Sequence, residues 1–197
     1  MIEIVEYVAE TGVSPFARWF DRLDVRAALK VRTAIARMAN GNLSNVKSVG
    51  QGVSENRLDF GPGYRIYFGR PAISRRQRHA GRPTRRGNGK DNAMALTRDF
   101  KRTVQARAQA DPAFRVGLLT EAAECLLTDE VDVAKTLLRD YVNATIGFQA
   151  LAALTGKKPA SLMRMLGEKG NPSLENIAKV IDTLRRHEGV ELHVSAA

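Results

Sequence analysis

The hydrophobic pattern of residues 1–68 predicts a short strand, two helices and a β-hairpin. The stretch from Ile2 to Val8 is rich in β-prone residues. Ser14-Pro15 then marks a helix start, because serine is a favoured N-cap and proline suits the first helical position. Two apolar faces follow at helical spacing, and Asn40-Gly41-Asn42 ends the second helix. These faces consist of Phe16, Trp19, Phe20 and Leu23, and of Ala28, Val31, Ile35 and Met38.

A hairpin is predicted where residues 55–60 and 64–68 flank Gly61-Pro62-Gly63, a strong turn signal. If this tripeptide is the turn, Leu58 lies opposite Ile66 and Asp59 lies opposite Arg65. Because side chains alternate along a strand, one hairpin face is apolar and the other is polar. The apolar face comprises Leu58, Phe60, Tyr64, Ile66 and Phe68, and the polar face comprises Glu55, Arg57, Asp59, Arg65 and Tyr67.

The polar face has two interpretations. It can be a solvated sheet surface with cross-strand ion pairs such as Asp59–Arg65. It can also recognise phosphate, since guanidinium groups match phosphate oxygens with two parallel hydrogen bonds.

The pattern after residue 93 predicts helices. Asp111-Pro112 starts one helix, and a second amphipathic helix follows it. A short helix from Phe148 then ends at Gly156, and Lys158-Pro159 begins another. Asn171-Pro172-Ser173 caps the last. The predicted inward positions are Phe114, Leu118, Ala122, Cys125 and Leu126; Val133, Leu137, Leu138 and Tyr141; Leu162, Met165 and Leu166; and Leu174, Ile177, Ala178, Ile181 and Leu184.

A short helix, a turn containing glycine and a second short helix are typical of a helix-turn-helix, here over about residues 145–186. The first turns of the second helix carry Lys157, Lys158, Ser161 and Arg164, opposite its apolar positions. A recognition helix needs this layout, with polar and basic groups toward DNA and apolar groups toward its own core. The alternative is a basic, solvated helix in an ordinary bundle.

Three stretches of the first segment resemble the RelE/HigB superfamily of type II toxins, in its HigB-like addiction module killer protein branch. They are Ser14-Pro15-Phe16-Ala17-Arg18-Trp19-Phe20, Gly41-Asn42-Leu43-Ser44-Asn45-Val46-Lys47 and Asp59-Phe60-Gly61-Pro62-Gly63-Tyr64-Arg65-Ile66-Tyr67-Phe68. The resemblance implies a small α+β fold and metal-independent cleavage of mRNA on the ribosome. It also implies that Arg65 stabilises the phosphate, with Arg57 and Lys47 as weaker correspondences.

The sequence departs from that family after residue 68. The family continues with an apolar strand and a C-terminal helix that help to complete the sheet and the active site. Neither pattern is present here, so we expect a strand edge or apolar surface left uncovered and no nuclease activity.

The second segment resembles HigA-type antitoxins of the XRE helix-turn-helix class, the addiction module antidote group. The resemblance rests on Met94-Ala-Leu-Thr-Arg-Asp-Phe100, Leu137-Leu-Arg-Asp-Tyr-Val-Asn-Ala-Thr-Ile146, Gly156-Lys-Lys-Pro-Ala-Ser-Leu-Met-Arg-Met-Leu-Gly167 and Gly170-Asn-Pro-Ser-Leu-Glu-Asn-Ile177. It implies an antitoxin that binds a cognate RelE/HigB-like toxin and represses its own promoter as a homodimer. The residues that it implies as DNA contacts are Lys157, Lys158, Ser161, Arg164 and Lys169.

The net charge of +10 is concentrated in residues 69–93. We interpret this stretch as a disordered basic linker and favour an origin as a frameshift scar between two adjacent genes. A flexible tether is one alternative, since its root-mean-square span is about 27 Å, enough for docking in cis. The other is an arm on nucleic-acid backbones, formed by Arg75, Arg76, Arg78, Arg82, Arg85 and Arg86.

The composition bears on three further classes of protein: disulfide-bonded, metal-binding and membrane-spanning proteins. The single cysteine, Cys125, excludes an internal disulfide and is interpreted as a core residue. His79, His187 and His193 lack ligand-like spacing, so we expect no metal and no cofactor. No apolar run approaches the roughly 20 residues of a membrane span, and we expect a cytoplasmic protein.

We therefore predict an α+β, truncated RelE-like toxin fold over residues 1–68, a linker over 69–93 and an all-α helix-turn-helix antitoxin over 94–197. The predicted function is a DNA-binding antitoxin and transcriptional autorepressor with operator DNA as partner. The alternative is a self-inhibited mRNA interferase that carries its antitoxin in cis and acts on ribosome-bound mRNA.

Overall fold

A computed structural model describes residues 2–69 and 96–193 of the chain. The linker prediction, except for its first residue, and the six arginines assigned to nucleic-acid backbones, Arg75, Arg76, Arg78, Arg82, Arg85 and Arg86, lie outside the described residues.

The first segment contains a strand, two helices and three further strands. Ser14 and Asp24 cap the two helices, because their side chains accept hydrogen bonds from Ala17 N at 3.1 Å and Ala27 N at 3.0 Å. The predicted start at Ser14-Pro15 is thus confirmed. The elements are β1 (Val5–Val8), α1 (Pro15–Arg22), α2 (Val25–Ala39), β2 (Val46–Gly50), β3 (Val53–Arg57) and β4 (Arg65–Gly69).

The second segment begins with a strand and continues with helices. Asp111 caps α4 through Phe114 N at 3.1 Å, as predicted, and Gly156 ends α6 in the left-handed conformation at φ 68°. The strand and the first helix were not predicted. The elements are β5 (Leu96–Asp99), α3 (Phe100–Ala110), α4 (Pro112–Leu127), α5 (Val131–Ala144), α6 (Gly147–Thr155), α7 (Pro159–Met165) and α8 (Leu174–Glu188). Over the described residues, the fold is therefore mixed α+β, with eight helices and small antiparallel sheets.

The hairpin between β3 and β4 differs in register from the prediction. Arg57 pairs with Arg65 and Asn56 with Ile66, so Leu58 does not lie opposite Ile66 and Asp59 does not lie opposite Arg65. The reason is a longer loop, closed by a hydrogen bond from Leu58 N to Tyr64 O at 2.8 Å. Because the shift is by two residues, the faces are unchanged. Leu58 and Ile66 are buried, as predicted.

The two segments share one hydrophobic core. β1 pairs with β5 in an antiparallel two-stranded sheet, separate from the sheet of β2, β3 and β4. The ring of Phe20 lies edge-on to Phe100 and Phe114, with centroids 5.7 Å and 5.9 Å away. Gly117 of α4 lies directly against Leu29 of α2, where a Cβ atom would overlap the leucine side chain. Helix α2 is thus covered by helices of the second segment.

Buried polar contacts also join the segments. The Arg107 guanidinium donates to the carbonyl oxygens of Phe20 and Leu23, which end α1. Thr33 Oγ1 donates to Glu121 Oε2 at 2.9 Å, and Arg98 Nη2 donates to Glu6 Oε2 at 3.0 Å. The bonds of Arg107 and Thr33 give partners to polar groups that would otherwise be buried without one. Glu6 Oε1 and Arg98 Nε, by contrast, are buried without a hydrogen-bond partner.

The edge expected to be uncovered belongs to β4. Among the described residues, β4 pairs with β3 alone, whereas β1 gains a partner strand from the second segment. The apolar residues of the hairpin nevertheless pack onto the common core through Leu58 and Ile66.

Two inward positions predicted for α8 are wrong. Leu174 is 78% exposed and Ala178 is exposed, whereas Ile177, Val180 and Leu184 form the buried stripe. Leu174 is the first residue of α8, one turn before Ile177, which is the first buried residue of this helix. No helix within the described ranges is long and apolar enough to cross a lipid bilayer.

Candidate nucleic-acid interface

Helices α6 and α7 form a short helix pair with a tight turn. The Gly156 N–H donates to Ala152 O, which ends α6, and Lys158 holds an extended conformation before Pro159 begins α7. Leu162 and Leu166 are buried beneath α7, as their spacing predicts. Because these leucines fix one face of α7 to the core, its opposite face is presented to solvent.

The five side chains implied as DNA contacts line one groove of about 390 Å³. They come from α7, from the turn before it and from the loop between α7 and α8. Within the part of the chain that the structure describes, no acidic side chain lines this groove. The lining residues are Lys157, Lys158, Ser161, Arg164, Met165, Lys169, Gly170, Asn171, Pro172 and Asn176.

The chemistry of this groove suits an anionic polymer. Three lysines and one arginine supply cationic groups. Ser161, Asn171 and Asn176 add neutral donors and acceptors. Such a combination can neutralise phosphates and also hydrogen-bond base edges, which are the two components of DNA binding.

A second candidate surface is the polar face of the β2–β3–β4 sheet. Arg57 and Arg65 are direct cross-strand partners, and Glu55 lies between Lys47 on β2 and Tyr67 on β4. The three residues implied as catalytic, Lys47, Arg57 and Arg65, therefore share one face and are exposed. Because cross-strand neighbours have Cβ atoms about 5 Å apart, the two guanidinium groups can reach one phosphate.

Two carboxylates partly compensate the positive charge of this surface. Arg65 Nε lies 3.9 Å from Glu55 Oε2, and Arg57 Nε lies 3.6 Å from Asp59 Oδ1. The predicted Asp59–Arg65 ion pair is therefore replaced by two others, as a consequence of the register shift. Both arginines are more than half exposed, so these pairs are weak and a phosphate can compete for the guanidinium groups.

Two basic residues next to this sheet were missed by sequence reasoning. Lys30 and Arg37 of α2 line a cleft of about 210 Å³ together with Arg57. Lys30 Nζ lies 2.6 Å from Glu121 Oε1, and Arg37 Nε lies 2.7 Å from Glu130 Oε2. The hydrogen bond to Glu130 raises the pKa of Arg37. Their spacing of two helical turns could have indicated this pair from the sequence, because it places both residues on one side of α2.

Comparisons with known proteins are sparse. No protein-family model and no solved structure match the chain. An uncharacterized protein of Haemophilus influenzae is 42% identical over 54 residues, which is 27% of this chain and 54% of that protein. The chain thus spans about half the length of the curated relative that it matches.

Proposed function

We propose that the chain is a DNA-binding autorepressor of the HigA-like antitoxin type, with a RelE/HigB-like toxin segment folded onto it in cis. The observation that carries the proposal is the groove at α7, where all five side chains implied as DNA contacts converge and none of the described lining residues is acidic. The implied partner is operator DNA, bound by a homodimer.

Each class of side chain in the groove has a separate task. Lys157, Lys158 and Lys169 pair with phosphates, which raises affinity for any duplex and makes binding salt-dependent. Arg164 lies one turn after Ser161 on α7, where its planar guanidinium group can bind the O6 and N7 atoms of guanine. Ser161 reaches either phosphate or base edges. Sequence preference is therefore assigned to α7 and general affinity to the lysines.

The test is a binding titration of the full chain with DNA taken from immediately upstream of its own coding sequence. Arg164→Ala should lower affinity for that fragment by about 5- to 150-fold, since one good base contact contributes about 1–3 kcal/mol. Affinity for a random duplex should change little. Arg102→Ala is the matched control, because Arg102 is exposed on α3, outside the groove.

The proposal fails if the chain binds its own upstream fragment no more tightly than a random duplex, or if Arg164→Ala and Arg102→Ala behave alike. If only deletion of residues 69–93 abolishes binding, the basic linker and not α7 carries the interaction.

The second candidate function is ribosome-dependent mRNA cleavage. It is favoured by one observation: Lys47, Arg57 and Arg65 remain exposed on one sheet face while the second segment is docked. In this reaction the 2′-hydroxyl loses its proton and attacks the adjacent phosphate, a 2′,3′-cyclic phosphate forms, and the bond to the 5′-oxygen of the next nucleotide breaks, this oxygen leaving as a protonated hydroxyl. The cationic groups stabilise the charge that develops on the phosphate oxygens. Because docking in cis leaves this face uncovered, the full chain is expected to keep its cleavage activity.

A translation extract containing ribosomes and mRNA tests this candidate. Cleavage should appear with the full chain and disappear with Arg65→Ala, while Arg18→Ala, an exposed arginine of α1, should cleave normally. If the mRNA stays intact at high protein concentration, the cleavage function is refuted and DNA binding remains as the proposed function.

A further inference from the structure

The loop between α7 and α8 is held from behind by one buried lysine. Lys135 of α5 has a side chain only 4% exposed. Its Nζ donates to Gly170 O at 2.6 Å and to Glu168 O at 3.5 Å, and it lies 2.6 Å from Asp132 Oδ1. A buried ammonium group is costly unless it is hydrogen-bonded in this way. Lys135 thus ties the loop to a helix outside the helix-turn-helix.

The same loop presses against α7 from its other side. A Cβ atom at Gly170 would overlap the carbonyl oxygens of Met165 and Arg164, so only glycine permits this approach. The loop therefore has little freedom, because Lys135 holds one side while the C-terminal end of α7 blocks the other.

The held loop forms one wall of the DNA groove. Lys169, Gly170 and Asn171 line the groove, and Gly170 and Asn171 also line a cleft on the opposite side of the loop, together with Lys135. Lys135 itself is absent from the groove lining. Its ammonium group thus acts on the loop and not on a ligand in the groove.

We propose that Lys135 is a positioning residue for DNA binding, which holds the loop of residues 167–172 so that Lys169 and Asn171 face the groove. This inference rests on the proposed function. It assigns part of the binding energy to a side chain that does not contact DNA, since a loop fixed in advance avoids the entropy cost of ordering on binding.

The decisive experiment is a double-mutant cycle on the full chain with its own upstream DNA fragment. Lys135→Met should weaken binding about tenfold and reduce the slope of log affinity against log salt by about 1, because one phosphate contact is lost. In a Lys169→Ala/Asn171→Ala background the same substitution should have no further effect, since the groups that it positions are already absent.

Gly170→Ala repeats the cycle without removing a buried charge, and it is decisive if Lys135→Met does not fold. It displaces the same loop from the opposite side and should also weaken binding only when Lys169 and Asn171 are present. Lys101→Met, an exposed lysine of α3, is the control for the loss of one positive charge.

The positioning role is overturned if Lys135→Met binds the DNA as tightly as the wild-type chain does. It is also overturned if Lys135→Met weakens DNA binding equally in both backgrounds. In either case the proposed function still stands. Failure of the wild-type chain to bind its own upstream fragment would overturn the proposed function and this inference with it. The two failures are thus distinguishable in one set of titrations.

Discussion

Arg32 of the first segment and Asp140 of the second segment form an ion pair inside the protein. Arg32 Nε donates to Asp140 Oδ2 at 2.6 Å, and the two side chains are 4% and 9% exposed. Burial raises the pKa of the Asp140 carboxyl, although Arg32 opposes the shift. Desolvation of the carboxylate is therefore not fully compensated by its partner, as is common for buried pairs.

We expect Asp140→Asn or Arg32→Met to lower the free energy of unfolding by about 3–5 kcal/mol, because each leaves one charge buried without its partner. The double variant Arg32→Met/Asp140→Leu should recover most of this loss. Urea denaturation of the three variants measures both effects. Equal losses in the single and double variants would contradict this account of the pair.

The shared core predicts that both segments unfold in one transition. The single tryptophan, Trp19, reports on the first segment, where its ring contacts Tyr64. Circular dichroism is dominated by helices, and six of the eight helices in residues 2–69 and 96–193 belong to the second segment. Fluorescence and circular dichroism curves in urea should therefore coincide. Two separated midpoints would indicate that the segments fold independently.

Phe20→Ala provides a sharper form of that experiment. Its ring is fully buried and contacts aromatic rings of both segments, so we expect a loss of about 3–5 kcal/mol. Both probes should report the same decrease. Leu127→Ala, at an exposed position on α4, should leave the midpoint unchanged.

The Glu188 carboxylate attaches α8 to α4 and α5, so we expect this attachment to weaken in acid. Hydrogen bonds from Arg115 at 2.7 Å, and also from Tyr141, hold the pKa of Glu188 below its ordinary value of 4.5. A carboxylate with a depressed pKa contributes stability above its unfolded-state pKa, and that contribution is lost as the pH falls through the folded-state value. Unfolding free energy measured from pH 7 downward should therefore decrease below about pH 4.5, and Glu188→Gln should remove this part of the decrease.

Cys125 should be inert in the folded protein. It is 2% exposed in the core, as its place in the apolar stripe of α4 predicts, and burial raises its pKa to about 11. The thiolate is the reactive species, so an alkylating reagent at pH 8 should modify native protein only at the rate of unfolding. Mass spectrometry of native and urea-treated samples measures the difference, and rapid native labelling would contradict it.

Local chemistry made the helix boundaries predictable. Ser14-Pro15, Asp111-Pro112 and Gly156 act through groups within a few residues of each helix end, and all three predictions are confirmed. The hairpin faces were also predictable, because a register shift of two residues preserves the side to which each side chain points.

Partners distant in sequence were not predictable. The apolar stripes of α2 and α4 each indicate a buried face, but periodicity does not say that these faces bury each other, nor that Gly117 is the point of contact. The pairing of Lys30 and Arg37 with Glu121 and Glu130 was missed for the same reason. Nothing in the local sequence before Phe100 marks β5 as the partner of β1.

The antiparallel pairing of β1 with β5 has a consequence for synthesis. Glu6 and its partner Arg98 are 92 residues apart, so β1 leaves the ribosome long before the strand that completes its sheet. At about 5–20 residues per second, β1 waits several seconds for its partner strand. The first segment therefore cannot reach its final fold before the second segment has begun to emerge, and translation itself delivers the two in a fixed ratio of one to one.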